Sequence, residues 1–297
     1  MFKLFSHNNI DKVKWDACVE RSSRPSVYAI SWYLDAVSPE WMGLIKADYT
    51  EVIPICWRKK WGVKYVYQPP YTQFGGLFST LTDQIDFSPS AGLLKDQFKL
   101  IEIRINPTNH TENADYVYAK GINQYVHLNA ELSEIENTIH PTHRKNIRRA
   151  QKAGIETQEI DAAEFIKFKF NNQGDYEEDI NQLPDLIGVL QQKNAVSFYG
   201  AFNEAKEMVS AIMLIEYQNR SILITSATCA EGKESKAMFL LIKNCFERYV
   251  GKDHIFDFAG SSLAGVYEFN KGFGAHEEVI HSLRINNLPP LLKFLKR

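Results

Sequence analysis

The sequence has no long hydrophobic run and little cysteine. No stretch of its 297 residues approaches the roughly 20 consecutive apolar residues that cross a bilayer, and the N-terminal Met-Phe-Lys-Leu-Phe soon turns polar. We therefore expect no transmembrane segment and no signal peptide. We expect the protein to be cytoplasmic. The cysteines are widely spaced within apolar patterns, which predicts reduced core residues rather than a disulfide framework or a zinc site. They are Cys18, Cys56, Cys229 and Cys245.

A large excess of one charge is also absent. The formal net charge is −2, so any affinity for nucleic acid or a membrane surface has to come from local clusters of charge. The chain has no Walker loop and no dinucleotide fingerprint. His140 and His143 have a spacing that occurs in metal sites, but Pro141 and the neighbouring cations argue against one, and we expect no metal. With 44% hydrophobic residues, the chain can build one large core or two of middle size.

The order of the predicted elements occurs twice along the chain. In each half helices come first and three strand-like runs follow; the second half then alternates helix, strand, helix and strand. A helix predicted at 161–170 opens with the capping box Asp161-Ala-Ala-Glu164. This order predicts an α/β protein with mixed (α+β) sheets, in two domains, residues 1–135 and residues 136–297. The predicted strands are 41–47, 51–57, 63–67, 99–105, 125–128, 196–202, 208–217, 221–228, 254–258 and 275–283, and the other predicted helices are 8–20, 31–37, 91–98, 184–193, 236–250 and 263–271.

A helix rich in arginine and lysine opens the second predicted domain. Between Asn137 and Gly154 the sequence has no acidic residue, and its cations recur at helical spacings that place them within a sector of about 140°. A stripe of that density can bind the phosphates of RNA or of a nucleotide-linked substrate. The alternative is a solvated helix face between two domains. The cations are Arg144, Lys145, Arg148, Arg149 and Lys152.

The segment from Asp257 to Gly274 carries the most informative functional pattern. An apolar strand ends at Asp257, a turn follows at Gly260, Ser261 and Ser262, and a short helix stops at Gly-Phe-Gly. A strand that feeds a helix through such a turn leaves backbone N–H groups pointing outward, where they can receive an anion or an oxyanion. The turn also comes close to a nucleophile elbow, but its last residue is alanine, so a serine hydrolase is a much weaker interpretation.

The element order and two motifs resemble a known family. The order resembles the GNAT acyltransferase fold, and its duplication resembles the Fem-type family of tandem GNAT proteins. Thr142 to Ile155 is similar to the family's basic helix that ends in Ala-x-x-x-Gly-Val/Ile. Asp257 to Gly274 is similar to the family's Asp-Phe-Gly-Gly turn followed by Phe-Lys-x-x-Phe-Gly. The resemblance covers nearly the whole chain and implies two tandem GNAT-like domains.

This resemblance implies a transferase. Fem-type enzymes take their acyl group from aminoacyl-tRNA, and the founding members add amino acids to peptidoglycan precursors. The resemblance therefore implies transfer of an activated acyl group to an amine of a small molecule or a peptidoglycan precursor, with tRNA as a candidate partner. Aminoacyl-tRNA or acyl-coenzyme A is the expected donor substrate, and the sequence indicates no cofactor with certainty.

The chain departs from the family pattern at two places. Asn270 stands where the family has lysine, and Lys271 follows one place later, rotated by about 100° on a helix. The glycine-rich coenzyme A loop of GNAT enzymes is also missing. The residues in its place, 230–236, include two glutamates that would repel a pyrophosphate. These departures favour an alternative from another class, a degenerate GNAT pair that binds an anionic ligand or RNA without turnover.

Catalytic and substrate-binding candidates follow from the resemblance and the turn chemistry. We expect backbone N–H groups around Gly260 to Ser262, with Asn270 or Lys271, to donate hydrogen bonds to the oxyanion of acyl transfer. Asp257 could accept a proton or orient the amine, although a buried cap or ion pair is the more ordinary role. Tyr267 lies one position from the tyrosine that many GNAT enzymes use as a general acid.

A loop in the first domain is the other substrate-binding candidate. Paired prolines stiffen the stretch 67–76 and paired glycines let its backbone approach a ligand closely, which suits an acceptor cleft wall. A plain turn with an aromatic plug is the alternative. Tyr71, Gln73 and Gly75 are its candidate site residues. The polar stretch 171–182 is either a mobile lid or a passive surface loop.

Overall fold

The computed structural model describes residues 1–81, 85–172, 180–260 and 263–289. The described residues fold as two compact units, the first containing Met1–Gly121 and residues 279–289, the second containing Ile122–Glu278. Helices and strands alternate through mixed sheets, as predicted. The predicted boundary at residue 135, between two GNAT-like folds, remains a proposal. No helix in the described ranges is both long and apolar enough to cross a membrane.

The elements are numbered in chain order. Up to the end of the long tenth strand they are β1 (Phe2–Ser6), α1 (Lys12–Arg21), α2 (Ser31–Val37), β2 (Met42–Lys46), β3 (Glu51–Ile55), β4 (Trp57–Lys60), β5 (Val63–Val66), β6 (Phe78–Ser79), β7 (Ile85–Asp86), α3 (Ser88–Gln97), β8 (Leu100–Arg104), β9 (Asn109–His110) and β10 (Val117–His127). They continue with α4 (Leu132–Thr138), α5 (Pro141–Lys152), β11 (Glu156–Glu159), α6 (Ala162–Asn171), α7 (Leu183–Gln192), β12 (Val196–Phe202), β13 (Met208–Tyr217), β14 (Arg220–Thr228), α8 (Ala230–Ser235), α9 (Ala237–Glu247), β15 (Ile255–Asp257), α10 (Ala264–Lys271) and β16 (His276–Asn286).

The first unit contains an antiparallel sheet of order β1-β2-β3-β6 and a second group of paired strands. In that group β16 pairs antiparallel with β8, β8 pairs parallel with β5, and β5 pairs antiparallel with β4. A core of leucine, isoleucine and phenylalanine from both groups, with α3, excludes water. The hairpin of β4 and β5 projects from this core on strands whose outer residues are exposed.

The second unit is built on a sheet of order β11-β12-β13-β14-β15-β10. β14 and β15 are parallel, and the other neighbours are antiparallel. Apolar side chains of α4, α5 and α9 pack on one face, where Phe256 and Val126 of adjacent strands are fully or almost fully buried. On α6 the predicted capping box forms, because Asp161 and Glu164 each accept the other's backbone N–H, and Phe165 packs 5.2 Å, centroid to centroid, from Phe198 of β12.

Candidate functional site

The basic helix predicted from the sequence is α5. Ile147 and Ala150 are buried in the core of the second unit, and this fixes the opposite side of the helix outward. Four of the five predicted cations are exposed and Arg144 is half-buried. Among the residues that the structure describes, none of the five forms an ion pair with a carboxylate. We call these five residues the basic stripe: Arg144, Lys145, Arg148, Arg149 and Lys152.

Asp257 is a buried ion-pair partner at the end of β15. Its side chain is 2% exposed, and Oδ2 lies 2.5 Å from Nη1 of Arg220 on the neighbouring strand β14. Oδ1 accepts the backbone N–H of Ala259 at 2.8 Å, so the carboxylate also holds the turn that follows the strand. These contacts match the cap and ion-pair interpretation of Asp257 and leave the carboxylate engaged.

The turn after Asp257 depends on Gly260. Ala259 and Gly260 both have positive φ, 55° and 62°, a conformation that glycine adopts without penalty. A Cβ on Gly260 would lie 2.2 Å from the carbonyl oxygen of Ile122 on β10, so a larger residue cannot fit without moving that strand. Ser261 and Ser262, the other two predicted residues of the turn, lie outside the described residues.

A polar set on β10 and β16, which sequence reasoning missed, surrounds the ion pair. Asn123 is fully buried, and its Nδ2 donates to Asp257 Oδ2 at 3.3 Å and to Glu278 Oε1 at 2.8 Å. Arg220 also lies over the ring of Tyr125, 5.7 Å from its centroid. No local signal could have found this set, since Asn123 and Asp257 are 134 positions apart.

Two histidines extend this polar set along the same strands. The rings of His127 and His276 are 5.6 Å apart, and each packs against Tyr125. Partial burial lowers the pKa of His127, and the nearby His276 and Arg220 lower it further. The lowered pKa favours the neutral ring of His127, in which one nitrogen can accept a hydrogen bond.

The other three catalytic candidates lie on α10 but do not share one environment. Asn270 is 2% exposed, and within the described residues its Nδ2 has no hydrogen-bond partner. Lys271 is exposed, with Nζ 5.5 Å from the centroid of the Tyr267 ring. The Tyr267 hydroxyl donates to Glu277 Oε1 at 2.6 Å. As expected from the rotation between successive helix positions, the side chain of Asn270 points inward and that of Lys271 points outward.

The buried amide of Asn270 is the chemically distinctive group of α10. A buried N–H donor without an acceptor costs about 1–3 kcal/mol, so native proteins rarely retain one without a reason. Gln124 Nε2 donates to the carbonyl oxygen of Tyr267 at 3.1 Å and ties the preceding turn of the helix to β10. The helix therefore holds the Asn270 donor on a fixed backbone, which is the arrangement that oxyanion stabilisation needs.

The C-terminal end of α10 is packed against α5 through His143. His143 Nε2 lies 2.9 Å from the carbonyl oxygen of Phe269, and its ring makes an edge contact with Phe273, 5.0 Å between centroids. Burial lowers the pKa of His143, although the hydrogen bond to Phe269 opposes the shift. The neutral ring then donates from Nε2. This contact connects the helix that carries the basic stripe to the helix that carries Asn270.

Gly272 makes this contact possible, and its replacement gives a first prediction. A Cβ at this position would lie 2.1–2.6 Å from three atoms of the His143 ring. We expect Gly272→Ala to lower the free energy of unfolding by about 1–3 kcal/mol, because the ring must move out of a packed site. Chemical denaturation followed by circular dichroism measures the change.

Gly265 on the same helix is the matched control. A Cβ there meets no atom within 4 Å, so Gly265→Ala should be neutral or stabilise by up to about 1 kcal/mol. Adding His143→Ala to Gly272→Ala should cancel the steric part of the loss. Equal denaturation midpoints for the two alanine variants would contradict the packing described here.

Residues 230–236, in the position of the missing coenzyme A loop, differ from expectation by forming helix α8. Gly232 packs against β13, where a Cβ would lie 2.1 Å from the carbonyl oxygen of Val209. Glu231 accepts a hydrogen bond from Asn203 at 2.8 Å, and Lys236, with φ of 64°, joins α8 to α9. A short helix with acidic side chains takes the place of an open glycine-rich turn, which disfavours binding of a pyrophosphate.

The first-unit candidates lie in a packed loop. Phe74 is 2% exposed and Gln73 is 7% exposed. Tyr71 has a positive φ of 58°, and Gly75 donates its N–H to the main chain of β8 at 2.8 Å. The buried phenylalanine corresponds to the aromatic plug of the simpler interpretation. A substrate-binding role for Tyr71, Gln73 and Gly75 remains a proposal.

The chain is similar to known proteins in its fold but matches no sequence family. No protein-family model and no curated protein sequence matches the chain. The solved structure of FemX matches with a TM-score of 0.67 at 11% identity, over 99% of this chain and 100% of that one. A tandem GNAT protein from the clavulanic acid biosynthesis pathway matches with a TM-score of 0.56 at 8% identity, over 97% and 99%. The C-terminal domain of a candidate lysylphosphatidylglycerol synthetase from Agrobacterium fabrum matches with a TM-score of 0.55 at 10% identity, over 96% and 94%.

These similarities establish the architecture. The chain has the tandem GNAT fold, and both the predicted fold class and the structural resemblance to Fem-type proteins are confirmed. At about one residue in ten identical, the likeness concerns the fold, and activity has to be argued from the site.

Proposed function

We propose that this protein is a Fem-type acyltransferase that transfers an aminoacyl group from aminoacyl-tRNA to an amine acceptor. The observation that carries the proposal is the basic stripe, whose cations have no carboxylate partner among the described residues. Unpaired cations at helical spacing bind phosphate oxygens strongly and without regard to base sequence. An acyl donor with a nucleic-acid chain matches that surface. A peptidoglycan precursor is one candidate for the acceptor.

The donor is better matched by tRNA than by coenzyme A. By the resemblance to GNAT enzymes, helix α8 corresponds to the loop that holds the pyrophosphate in those enzymes, and Glu231 and Glu234 bring negative charge to it here. The basic stripe, in contrast, extends along about two and a half turns of α5, from Arg144 to Lys152. The balance of charge in the second unit therefore favours a donor that contacts α5.

In the proposed reaction the acceptor amine attacks the ester carbonyl carbon of the aminoacyl group. A C–N bond forms, the C–O bond to the terminal ribose breaks, and the amine proton goes to the departing ribose oxygen. The carbonyl oxygen is negatively charged in the tetrahedral intermediate. Asn270 Nδ2 is the proposed donor to that oxygen, because it is a buried donor without a partner in the described residues. Lys271 Nζ leaves the next position of α10 on the exposed side, so its proposed role is to attract the phosphates of the donor substrate.

Tyr267 and Asp257 take supporting roles in this proposal. Tyr267 donates to Glu277 and lies beside the ammonium of Lys271, so it positions that lysine. Asp257 is paired with Arg220 in a buried site, so it holds the turn that begins the segment. Neither needs to exchange a proton with the substrate.

Replacement of Asn270 and Lys271 together tests the function. We expect the double change Asn270→Ala and Lys271→Ala to reduce the transfer rate from charged tRNA by at least about 100-fold, since loss of one oxyanion donor alone costs a factor of that size. The measurement is transfer of a radiolabelled aminoacyl group to amine acceptors, with Glu268→Gln on the exposed side of α10 as the control. Transfer that survives the double change unaltered would show that the site is assigned wrongly.

A non-catalytic role is the second candidate, and one observation favours it. Asn270 replaces the family's lysine and is buried, so the positive charge is displaced to Lys271 on the surface. A degenerate GNAT pair of this kind would bind RNA or another anionic ligand through α5 without turnover. Binding of charged tRNA that is never followed by release of the aminoacyl group would support it.

A further inference from the structure

The hairpin of β4 and β5 in the first unit is a second basic surface, remote in sequence from α5. It carries Arg58, Lys59, Lys60 and Lys64, all exposed, and the sequence has no acidic residue from 52 to 82. Within the described part of the chain none of these four side chains forms an ion pair. The hairpin therefore presents uncompensated positive charge, which complements an anionic partner.

A tryptophan stands at the tip of this hairpin. The side chain of Trp61 is 71% exposed. The turn does not require tryptophan, since a smaller polar residue could complete it. Lys60 Nζ lies 4.9 Å from the centroid of its ring. A single exposed hydrophobic side chain is ordinary on a protein surface, so the inference about Trp61 rests on the turn that holds it and on the cations that flank it.

The turn itself favours a different residue. Trp61 and Gly62 connect Lys60 to its strand partner Val63, and both central residues have positive φ, 51° and 79°. Positive φ at both positions is typical of a type I′ turn, for which Asn-Gly is the preferred pair. A bulky side chain in this conformation is strained, and retained strain of this kind points to a function for the residue.

The other aromatic rings of the hairpin help to identify the partner. Lys64 Nζ lies 5.3 Å from the centroid of Trp57, and the Arg58 guanidinium lies 4.3 Å from that of Tyr67. Binding of single-stranded nucleic acid by stacking requires successive ring faces that are open to bases, and the rings of Trp57 and Tyr67 each have a cation of the hairpin against them. A single projecting tryptophan with flanking lysines is instead suited to a bilayer interface, where tryptophan prefers the headgroup level and cations the anionic lipids.

We propose that the β4–β5 hairpin docks on an anionic lipid bilayer. Trp61 enters the interfacial region of the bilayer, and Arg58, Lys59, Lys60 and Lys64 contact lipid phosphates. This docking is peripheral, and it is independent of the acyl-transfer proposal, since the hairpin contains none of the residues assigned to that reaction.

Vesicle sedimentation of the full chain tests this docking. The wild-type protein should bind vesicles of phosphatidylcholine mixed equally with phosphatidylglycerol and should not bind vesicles of phosphatidylcholine alone. Lys59→Gln with Lys60→Gln should lower the partition coefficient about 30-fold, roughly fivefold for each charge. Lys193→Gln with Lys233→Gln, which removes two exposed lysines that have no ion pair in the described residues, should change it less than about twofold.

Trp61→Asn separates membrane docking from a structural role. Asparagine suits the type I′ turn, so the variant should melt at the wild-type temperature or above it, yet its partition onto the mixed vesicles should fall about tenfold. Unchanged partition of this variant would overturn the proposal, as would equal binding to the two kinds of vesicle. If the Trp61→Asn variant bound a labelled single-stranded RNA more weakly than the wild type but bound vesicles equally well, the hairpin would be a nucleic-acid surface and the membrane proposal would be wrong.

Discussion

Removing three charges from the basic stripe is expected to weaken tRNA binding by about 1,000-fold or more at physiological salt. The change is Arg148→Gln, Arg149→Gln and Lys152→Gln, which takes away three charge-assisted contacts to phosphate, each worth roughly 1.5–3 kcal/mol. All three side chains are exposed on α5. The fold should therefore tolerate the change, with unfolding free energy altered by about 1 kcal/mol or less.

The salt dependence gives this prediction a second, independent readout. Each phosphate contact that is lost should reduce the slope of log K against log salt by about 0.7–0.9, so the triple variant should lose about 2–3 in slope. Filter binding or fluorescence anisotropy over a range of salt concentrations measures both quantities. Lys167→Gln, Lys193→Gln and Lys233→Gln remove the same charge from other exposed positions of the second unit, and this control should bind almost as wild type does. Equal losses in the two triple variants would show that net charge, and not the stripe, determines binding.

Asp257→Ala is expected to produce the largest loss of stability. The substitution leaves Arg220, whose side chain is 14% exposed, without its carboxylate partner in a buried site. Removing one member of a buried ion pair costs about 3–5 kcal/mol, because the remaining charge stays desolvated. The turn at Ala259 also loses the oxygen that accepts its N–H. Urea denaturation of the wild type and the variant measures the difference.

A double change distinguishes the ion pair from a catalytic role of Asp257. Arg220→Met combined with Asp257→Ala removes both charges, and we expect it to recover most of the lost stability. If Asp257→Ala were as stable as the wild type while transfer activity was lost, the carboxylate would be acting on the substrate and the ion-pair account would be wrong.

The sequence predicted the long elements of the second unit well. The strands β12, β13 and β14 and helix α9 lie within a few residues of their predicted bounds, because their apolar periodicity is long enough to be read locally. The capping box of Asp161 and Glu164 is a local signal for the same reason. Short elements without a regular apolar pattern were not predicted, and these include β1, β11 and α8.

The environment of the site residues could not be predicted. Asp257 was identified from its motif, but its pairing with Arg220 and Asn123 joins residues that are 37 and 134 positions apart, and no short pattern encodes such contacts. The sequence predicts only that Asn270 and Lys271 leave the helix about 100° apart. Which of the two side chains is buried depends on how α10 packs. Long-range packing therefore leaves the buried Asn270 amide without a partner in the described residues and engages Asp257 in a buried ion pair.

The most direct test of the proposed function is ligand-induced stabilisation of the whole protein. Melting temperatures would be compared with aminoacyl-tRNA, uncharged tRNA and acyl-coenzyme A thioesters, each at low and high salt. A ligand at about 100 times its dissociation constant adds roughly 2.7 kcal/mol to the stability, which raises the melting temperature measurably. We expect a salt-sensitive rise with tRNA that is larger for the aminoacylated form. A rise with the thioesters alone would contradict it, because the donor would then be coenzyme A-linked and the basic stripe a solvated helix face.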